Sequence, residues 1–482
     1  LFFSFFILSI FSVFGSIVDV EKTHIRITSP DSLIHFHFYQ RMDSDEQYHL
    51  YYSISYKDKV IIKESRMGLE LDNKVWEMAL AEDIQRKDRW YYDLIFRTVE
   101  YKNCRNNWKP LYGERGLITD NWNGALLKFE KSNNSGYSMD IEIRVYNEGV
   151  AFRYHFPEMT NGLFLHIVGE QTSFTMPEGT MAYYERWAQG PYELRPLEGW
   201  GKEESERPLT LKLPDGLSVA LLEAEMVDYV RGKFRLSAEK PSTLETSLYS
   251  SVDIISPYST PWRVIMVGER PVDLINNNDI VLNLNPACKL ADTSWIKPGK
   301  VFRSGDLKQD RVKAAIDFAA ERGIQYVHMD AGWYGPEMKM SSDATTVSSD
   351  KDLDIPALCK YAESKGIGLM VYVNQRALVQ QLDTLLPLYK KWGLKGIKFG
   401  FVQIGNQHWS TWLHDAVRKC AEYEMMVDIH DEYRPTGFSR TYPNLMTQEG
   451  IRGNEEMPDA THNTILPYTR FLAGAGDYTL CY

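Results

Sequence analysis

The sequence predicts a large β domain followed by an α/β domain with a parallel sheet. Three observations carry this. From about Lys22 to about Asn285, apolar and polar residues alternate in short runs broken by Asp, Asn, Gly and Pro. Near Pro286 the period changes, and helical patterns alternate with short apolar strands. Polar residues then stand at the C-terminal ends of those strands: Asp330, Asn374, Asp431 and Glu449. Period-two runs with turn punctuation mark antiparallel strands, whereas apolar strands joined by helices mark a parallel sheet covered on both faces.

In chain order, the first residues, LFFSFFILSIFSVFGS, form an apolar run closing on Gly15-Ser16. This is the pattern of a secretory signal peptide over 1–18, without its charged n-region. A membrane anchor is the other reading, although the run is short for a spanning helix. The expectation is an exported protein, periplasmic or secreted, with no stable membrane span after signal cleavage.

The β domain, placed at 20–285, contains HIRITSP, LIHFHFYQ, YHLYYSISYK, KVIIKES, YSMDIEIRVYN, VAFRYHF, LSVALLE and TPWRVIMVG. Many short strands without a long helical stretch predict a β-sandwich. The α/β domain, placed at 286–482, opens with an amphipathic helix over Asp310–Glu321, and Gly323 stands where a helix C-terminal glycine belongs. Then come the strand IQYVHMD, a helix around Ile355–Ser364, the strand IGLMVYVN and a helix from about Ala377 to Trp392. GIKFGFV, a helix from about Trp409 to Tyr423 and MMVDIH follow. A (β/α)8 barrel gathers its catalytic groups at the strand C-termini, and no glycine-rich phosphate loop supports a doubly wound sheet instead. Five or six strands precede Tyr482, so the sequence reads as truncated before the barrel closes.

Composition narrows the function. The net charge of -11 argues against nucleic acid as a partner. Five scattered cysteines (Cys104, Cys288, Cys359, Cys420 and Cys481) form neither a disulfide framework nor a zinc site. Aromatics at 13% suit both sugar stacking and a β core, and so decide nothing.

The chemistry concentrates in Met425–Glu456, MMVDIHDEYRPTGFSRTYPNLMTQEGIRGNEE. An apolar run ends in His430, Asp431 and Glu432, and Glu449, Glu455 and Glu456 follow. So many carboxylates at strand ends suit acid–base or cation-assisted chemistry. Bland readings stand beside this: Asp431 as a turn former, Glu449 and Glu455 as solvated charges, Glu432 in a salt bridge, His430 as a scaffold histidine, Trp333 as core.

The motifs NWKPLYGERG, PYELRPL, ALLEAEMVDY, DTSWIKPGK, HMDAGWYG, GIKFGFV and HDEYRPTGFSRTYPNLMTQEGIRGNE together resemble glycoside hydrolase family 97, over nearly the whole mature chain. The resemblance implies an N-terminal β-super-sandwich, a (β/α)8 TIM barrel and a C-terminal β domain absent from this sequence. It also implies exo-acting α-glycoside hydrolysis: either a calcium-dependent inverting α-glucosidase or a retaining α-galactosidase. Carried over by motif, Glu455 falls on the general acid, and Asp431 falls where a carboxylate holds calcium and orients water. Glu449 falls on a calcium ligand, so the implied Ca²⁺ set is Glu193, Asp431, Glu449 and Glu455. Asp330, Trp333, Asn374, Lys398 and His430 become the substrate-binding residues, with an oligosaccharide or other α-glycoside as partner.

Two departures bear on mechanism. The position of the retaining members' nucleophilic aspartate is Gly400, and that of a second glutamate of inverting members is Asn374. Glycine cannot attack, which favours inversion with Asp431 as base. An α-galactosidase with its base relocated to Glu432, and a non-catalytic carbohydrate-binding relative, are the alternatives.

Overall fold

The computed structural model describes residues 21–71, 89–92, 94–131, 137–158 and 164–480. The expected signal peptide over 1–18 and Cys481 lie outside the described residues. Among those described, no helix is long and apolar enough to cross a membrane, and Cys104, Cys288, Cys359 and Cys420 are free thiols.

The first half is antiparallel β structure. An eight-stranded sheet starts with Glu21–Thr28, Ile34–Met42, Tyr48–Tyr56 and Lys59–Met67, and faces a ten-stranded sheet. Alternation places Phe36 and Tyr52 of the first sheet against Phe152 of the second, with ring centroids 6.3 and 5.2 Å apart. Every run expected to be a strand is one. The long hairpin of Leu94–Trp108 with Ile118–Lys131 was not expected. Most positions of Leu94–Trp108 are exposed or half-buried, so the strand writes no apolar alternation into the sequence.

The second half is a curled sheet of six parallel strands, not a closed eight-stranded barrel, among the described residues. Its strands are β1 (Val301–Ser304), β2 (Tyr326–Met329), β3 (Gly368–Asn374), β4 (Gly396–Gly400), β5 (Met426–Ile429) and β6 (Leu445–Gln448). Helices α1 (Gln309–Arg322), α2 (Ile355–Ser364), α3 (Gln375–Trp392) and α4 (Gln407–Glu422) cover one face. Gly323 takes the left-handed conformation (φ 66°) that ends α1. Val327, Val371, Val373, Ile397, Phe399, Val427 and Ile429 belong to the core shared with the helices. By the alternation of strands, His328, Met370, Tyr372, Asn374, Lys398, Gly400 and Asp428 therefore share the opposite, inner face. Tyr326, Met370 and Met426 close its lower end as a separate apolar cluster, leaving the polar residues above them at the strand C-termini.

The motifs outside the curled sheet lie where the two halves meet. The Tyr112 hydroxyl donates to the carbonyls of Pro443 and Leu445 (2.8 and 2.9 Å), holding the start of β6. Trp108 Nε1 donates to Asn283 Oδ1 (2.8 Å), and the Glu225 N–H donates to the Thr436 carbonyl (2.9 Å).

Candidate active site

Asp431 immediately follows β5, at φ 64°, a left-handed conformation that costs free energy in a non-glycine residue and clusters at functional sites. Two neighbours hold it there. Its N–H donates to Glu449 Oε2 (2.5 Å), and its Oδ2 accepts the Val402 N–H (3.0 Å). Val402 follows Phe401, a 54% exposed ring also in the left-handed region at φ 51°. Burial pushes the Asp431 carboxyl above the usual aspartate range; the Val402 N–H opposes this and the Glu449 charge adds to it.

His430 is buried and surrounded by carboxylates. Its Nε2 lies 2.6 Å from Asp477 Oδ2 and 3.5 Å from Asp428 Oδ2, and its Nδ1 lies 3.1 Å from Glu449 Oε2. Burial alone would lower its pKa. Asp428, Asp477 and Glu449 outweigh that and push it up to about 12, so the ring is an imidazolium donating from both nitrogens. Conversely, burial would raise Asp477, but the His430 hydrogen bond and charge hold it well below the carboxylate range. Asp428, His430 and Asp477 also stand close enough to share an ion. His430 thus supplies positive charge to the acidic cluster from within the chain.

Asp330, at the end of β2, accepts from its own neighbour Ala331 N–H (2.9 Å), pairs with Arg303, and lies 3.8 Å from Lys398 Nζ. Burial is outweighed by Lys398, His328, the Ala331 N–H and Arg303, so its carboxyl sits below the ordinary aspartate value. Lys398, expected at the substrate, is here the cationic partner of the acidic Asp330. Asn374 ends β3; its Oδ1 accepts the Arg376 N–H (2.9 Å) as the N-cap of α3, and its own N–H donates to the Tyr334 hydroxyl (3.0 Å).

The structure corrects one expected contact. Trp333 is 0% exposed, its Nε1 donates to the Tyr372 carbonyl (2.7 Å), and its ring packs on Tyr334, Tyr389 and Trp392. It is a core residue with no face for a sugar. Glu193 also stands apart. It lies on a short strand with its side chain 52% exposed and ion-paired to Arg195 (2.7 Å). Glu432 faces the β domain, where its Oε2 accepts the Ala188 N–H (3.3 Å) and lies 3.7 Å from Arg231 Nη1.

Glu455 lies on the exposed side of the 3-10 turn Asn454–Glu456, whereas Glu456 Oε2 is buried with no hydrogen-bond partner among the described residues. Burial, with the Glu449 and Glu455 charges adding to it, raises the Glu456 carboxyl. The four carboxylates expected around calcium therefore do not all meet. Asp431 and Glu449 do, and Glu456 brings an orphaned oxygen towards the same charge. Paired carboxylates such as Asp431 and Glu449 are the kind of oxygen donor that a hard cation such as Ca²⁺ accepts.

Three acidic residues, Asp428, Asp477 and Glu337, have no role assigned from the sequence. Asp477 lies 47 residues from His430, and its only sequence signal is its place in the GAGDYT motif. Glu337 follows β2 on a loop, with Oε1 buried and unpartnered among the described residues. It lines a groove of about 600 Å³ together with Ala331, Asp350 and Lys351. Burial, reinforced by the Asp330 charge, raises its carboxyl.

Comparison with known proteins bears on the family. The family model glycosyl-hydrolase 97 N-terminal matches residues 27–286, and the model glycoside hydrolase 97 matches residues 292–451. A probable retaining α-galactosidase of Streptomyces bingchenggensis is 28% identical over 385 residues, 73% of this chain and 56% of that protein. A retaining α-galactosidase of Bacteroides thetaiotaomicron is 27% identical over 493 residues, 89% of this chain and 70% of that protein. Among solved structures, a glycoside hydrolase family 97 enzyme from Pseudoalteromonas sp. strain K8 in complex with acarbose superposes with a TM-score of 0.83. It is 27% identical, and the match covers 94% of this chain and 74% of that one. The chain spans little more than half the length of the Streptomyces relative, at 56%.

Proposed function

We propose, for a chain that belongs to glycoside hydrolase family 97, that it hydrolyses α-glycosides from the chain end with inversion, as an α-glucosidase. The observation that carries this is the pairing of Asp431 with Gly400. One rim of the site offers a half-buried carboxylate, oriented by the Val402 N–H and raised by desolvation. The neighbouring strand end offers no side chain that could attack. In this reading Glu455 protonates the leaving glycosidic oxygen, and Asp431 takes a proton from the water that attacks the anomeric carbon. Asp330, Lys398 and His430 surround the sugar, and the His430 charge keeps the acidic cluster from repelling itself apart.

Ca²⁺ belongs to this reading, with Asp431 and Glu449 as the residues that would hold it. The ion supplies electrostatic stabilisation when bound. Likewise, the curled sheet is read as the larger part of a (β/α)8 barrel, and the protein as exported. The names of the relatives favour a second reading, that of a retaining α-galactosidase.

Proton NMR of the first product formed from an α-linked substrate decides between the two mechanisms. A β-anomer is expected, and an initial α-anomer would falsify inversion. Comparing nitrophenyl α-glucoside with nitrophenyl α-galactoside decides the sugar. Glu455→Gln is expected to abolish a measurable activity; if it binds but never had activity to lose, the chain is a carbohydrate-binding relative.

A further inference from the structure

The strand ends around the site are fixed in two ways. β3 and β4 lock by shape: a Cβ placed on Gly400 would lie only 2.0–2.4 Å from Cε2, Cζ and the hydroxyl oxygen of Tyr372. The end of β6 is held by an arginine instead. Arg470, in the 3-10 turn Arg470–Ala473, is 0% exposed. Its Nε donates to the Gly450 carbonyl (2.7 Å) and its Nη2 to the Glu449 carbonyl (2.6 Å). On the other side, its Nη1 donates to the Gly474 carbonyl (3.0 Å) and its Nη2 to that of Ala475 (3.3 Å). One guanidinium therefore spans two segments, the one that follows β6 and the one that leads to Asp477.

This placement is costly. Burial, reinforced by the Arg434 charge, disfavours the cation. Every hydrogen bond that Arg470 donates among the described residues goes to a backbone carbonyl. A buried charge is ordinarily paired with an opposite one. Here the planar fork, donating from three nitrogens, sets two backbone segments against each other. Both segments carry a carboxylate to the same ring. Glu449 Oε2 lies 3.1 Å from His430 Nδ1, and Asp477 Oδ2 lies 2.6 Å from His430 Nε2. The same Glu449 oxygen accepts the Asp431 N–H, and the Asp477 N–H donates to the Gln448 carbonyl (2.9 Å).

We propose that Arg470 is a positioning residue of the active site, which ties these two segments together so that Glu449 and Asp477 close on His430 from its two ring nitrogens. This rests on reading the His430 cluster as the active site. Arg470 is too deeply buried to touch a substrate and acts only through the residues it holds.

In the full chain, Arg470→Lys keeps a cation but not the fork, so it cannot bond both segments at once. Proton NMR of the histidine-labelled protein reads the consequence directly. A short charge-assisted N–H···O bond holds its proton far downfield, and the His430 signal is identified by its loss in His430→Gln. In Arg470→Lys this signal should vanish or move upfield, and kcat should fall roughly 10- to 100-fold. Asp477→Asn should lower kcat similarly, and the double variant should lose no more than the worse single variant. Should Arg470→Lys fail to fold, Gly476→Ala decides. Its Cβ would lie 3.2 Å from the Phe471 ring and 3.3 Å from Arg470 Nη2, easing the segment off the guanidinium with the charge untouched. It should shift the same signal and lower kcat in smaller measure. A purely structural arginine predicts a lower melting temperature with signal and kcat unchanged. That outcome, fully additive losses, or a wild type without the signal would overturn the assignment. A wild type that hydrolyses no α-glycoside defeats the reading of the site, and the His430 signal then decides the positioning role alone.

Discussion

His430 is the residue on which the charge of the site turns. The sequence placed it beside Asp431 at a strand end, and so pointed to the right neighbourhood. It could not show that Asp428, Asp477 and Glu449 converge on the ring, because that depends on how β5 and β6 lie against a segment far along the chain. The physical consequence is testable by linkage. The folded pKa is raised from 6.5 to about 12, so the stability His430 contributes is fully present below about 6.5. It is lost progressively as pH rises towards the folded value. Urea unfolding midpoints should therefore fall between pH 6 and pH 10 in the wild type, and this component of the fall should be missing in His430→Gln. Equal pH dependence in the two proteins would show that the ring is neutral in the fold. Trp333 illustrates the opposite limit of legibility: an aromatic next to a strand-end aspartate looks the same in sequence whether it lines a cleft or fills the core beneath α3.

At the scale of elements, α1 to α4 and the strands β2 to β5 were legible because each carries a full period of apolar spacing or a strong end signal. β1 was not, since Val301–Ser304 is mostly exposed and writes no apolar run into the sequence. The junction of β3 and α3 joins structure and chemistry in one side chain. The Oδ1 of Asn374 caps the helix while its Nδ2 faces the site. Asn374→Ala should lose about 1 kcal/mol of stability together with activity, whereas Asn374→Ser should keep most of the cap and still lose activity. Chemical denaturation and kinetics on the two variants separate these contributions; equal stability of the two variants would mean that the cap contributes nothing.

At the scale of the molecule, the β domain and the curled sheet are joined by a fully buried arginine. Arg434 pairs with Glu185 (2.5 Å) and donates to the carbonyls of Ala188, Arg207 and Gly450, each at 2.8 Å. Gly450 follows Glu449, and its carbonyl also accepts from Arg470 Nε (2.7 Å), so the loop bearing a site carboxylate is anchored from the β domain. In sequence Arg434 stands three residues after Asp431, among the acids of the site motif. That its partners lie across the domain boundary depends on a meeting of segments more than 200 residues apart. Arg434→Ala should cost about 3–5 kcal/mol, because it leaves the Glu185 carboxylate buried and unpaired. Calorimetry should show both halves unfolding at a lower temperature, and a loss confined to one transition would mean that the halves are not coupled through this residue.

The fit between Tyr372 and Gly400 also fixes the order in which this part of the molecule can change over generations. A substitution at Gly400 made first meets an occupied space, and the Tyr372 ring has to swing aside to admit it. A smaller residue at Tyr372 made first only opens a void, which the fold tolerates at reduced stability. A lineage that gains a side chain at position 400 must therefore either swing the phenol aside or lose it. Among homologues, a side chain at 400 should be accompanied by a smaller residue or a displaced ring at 372.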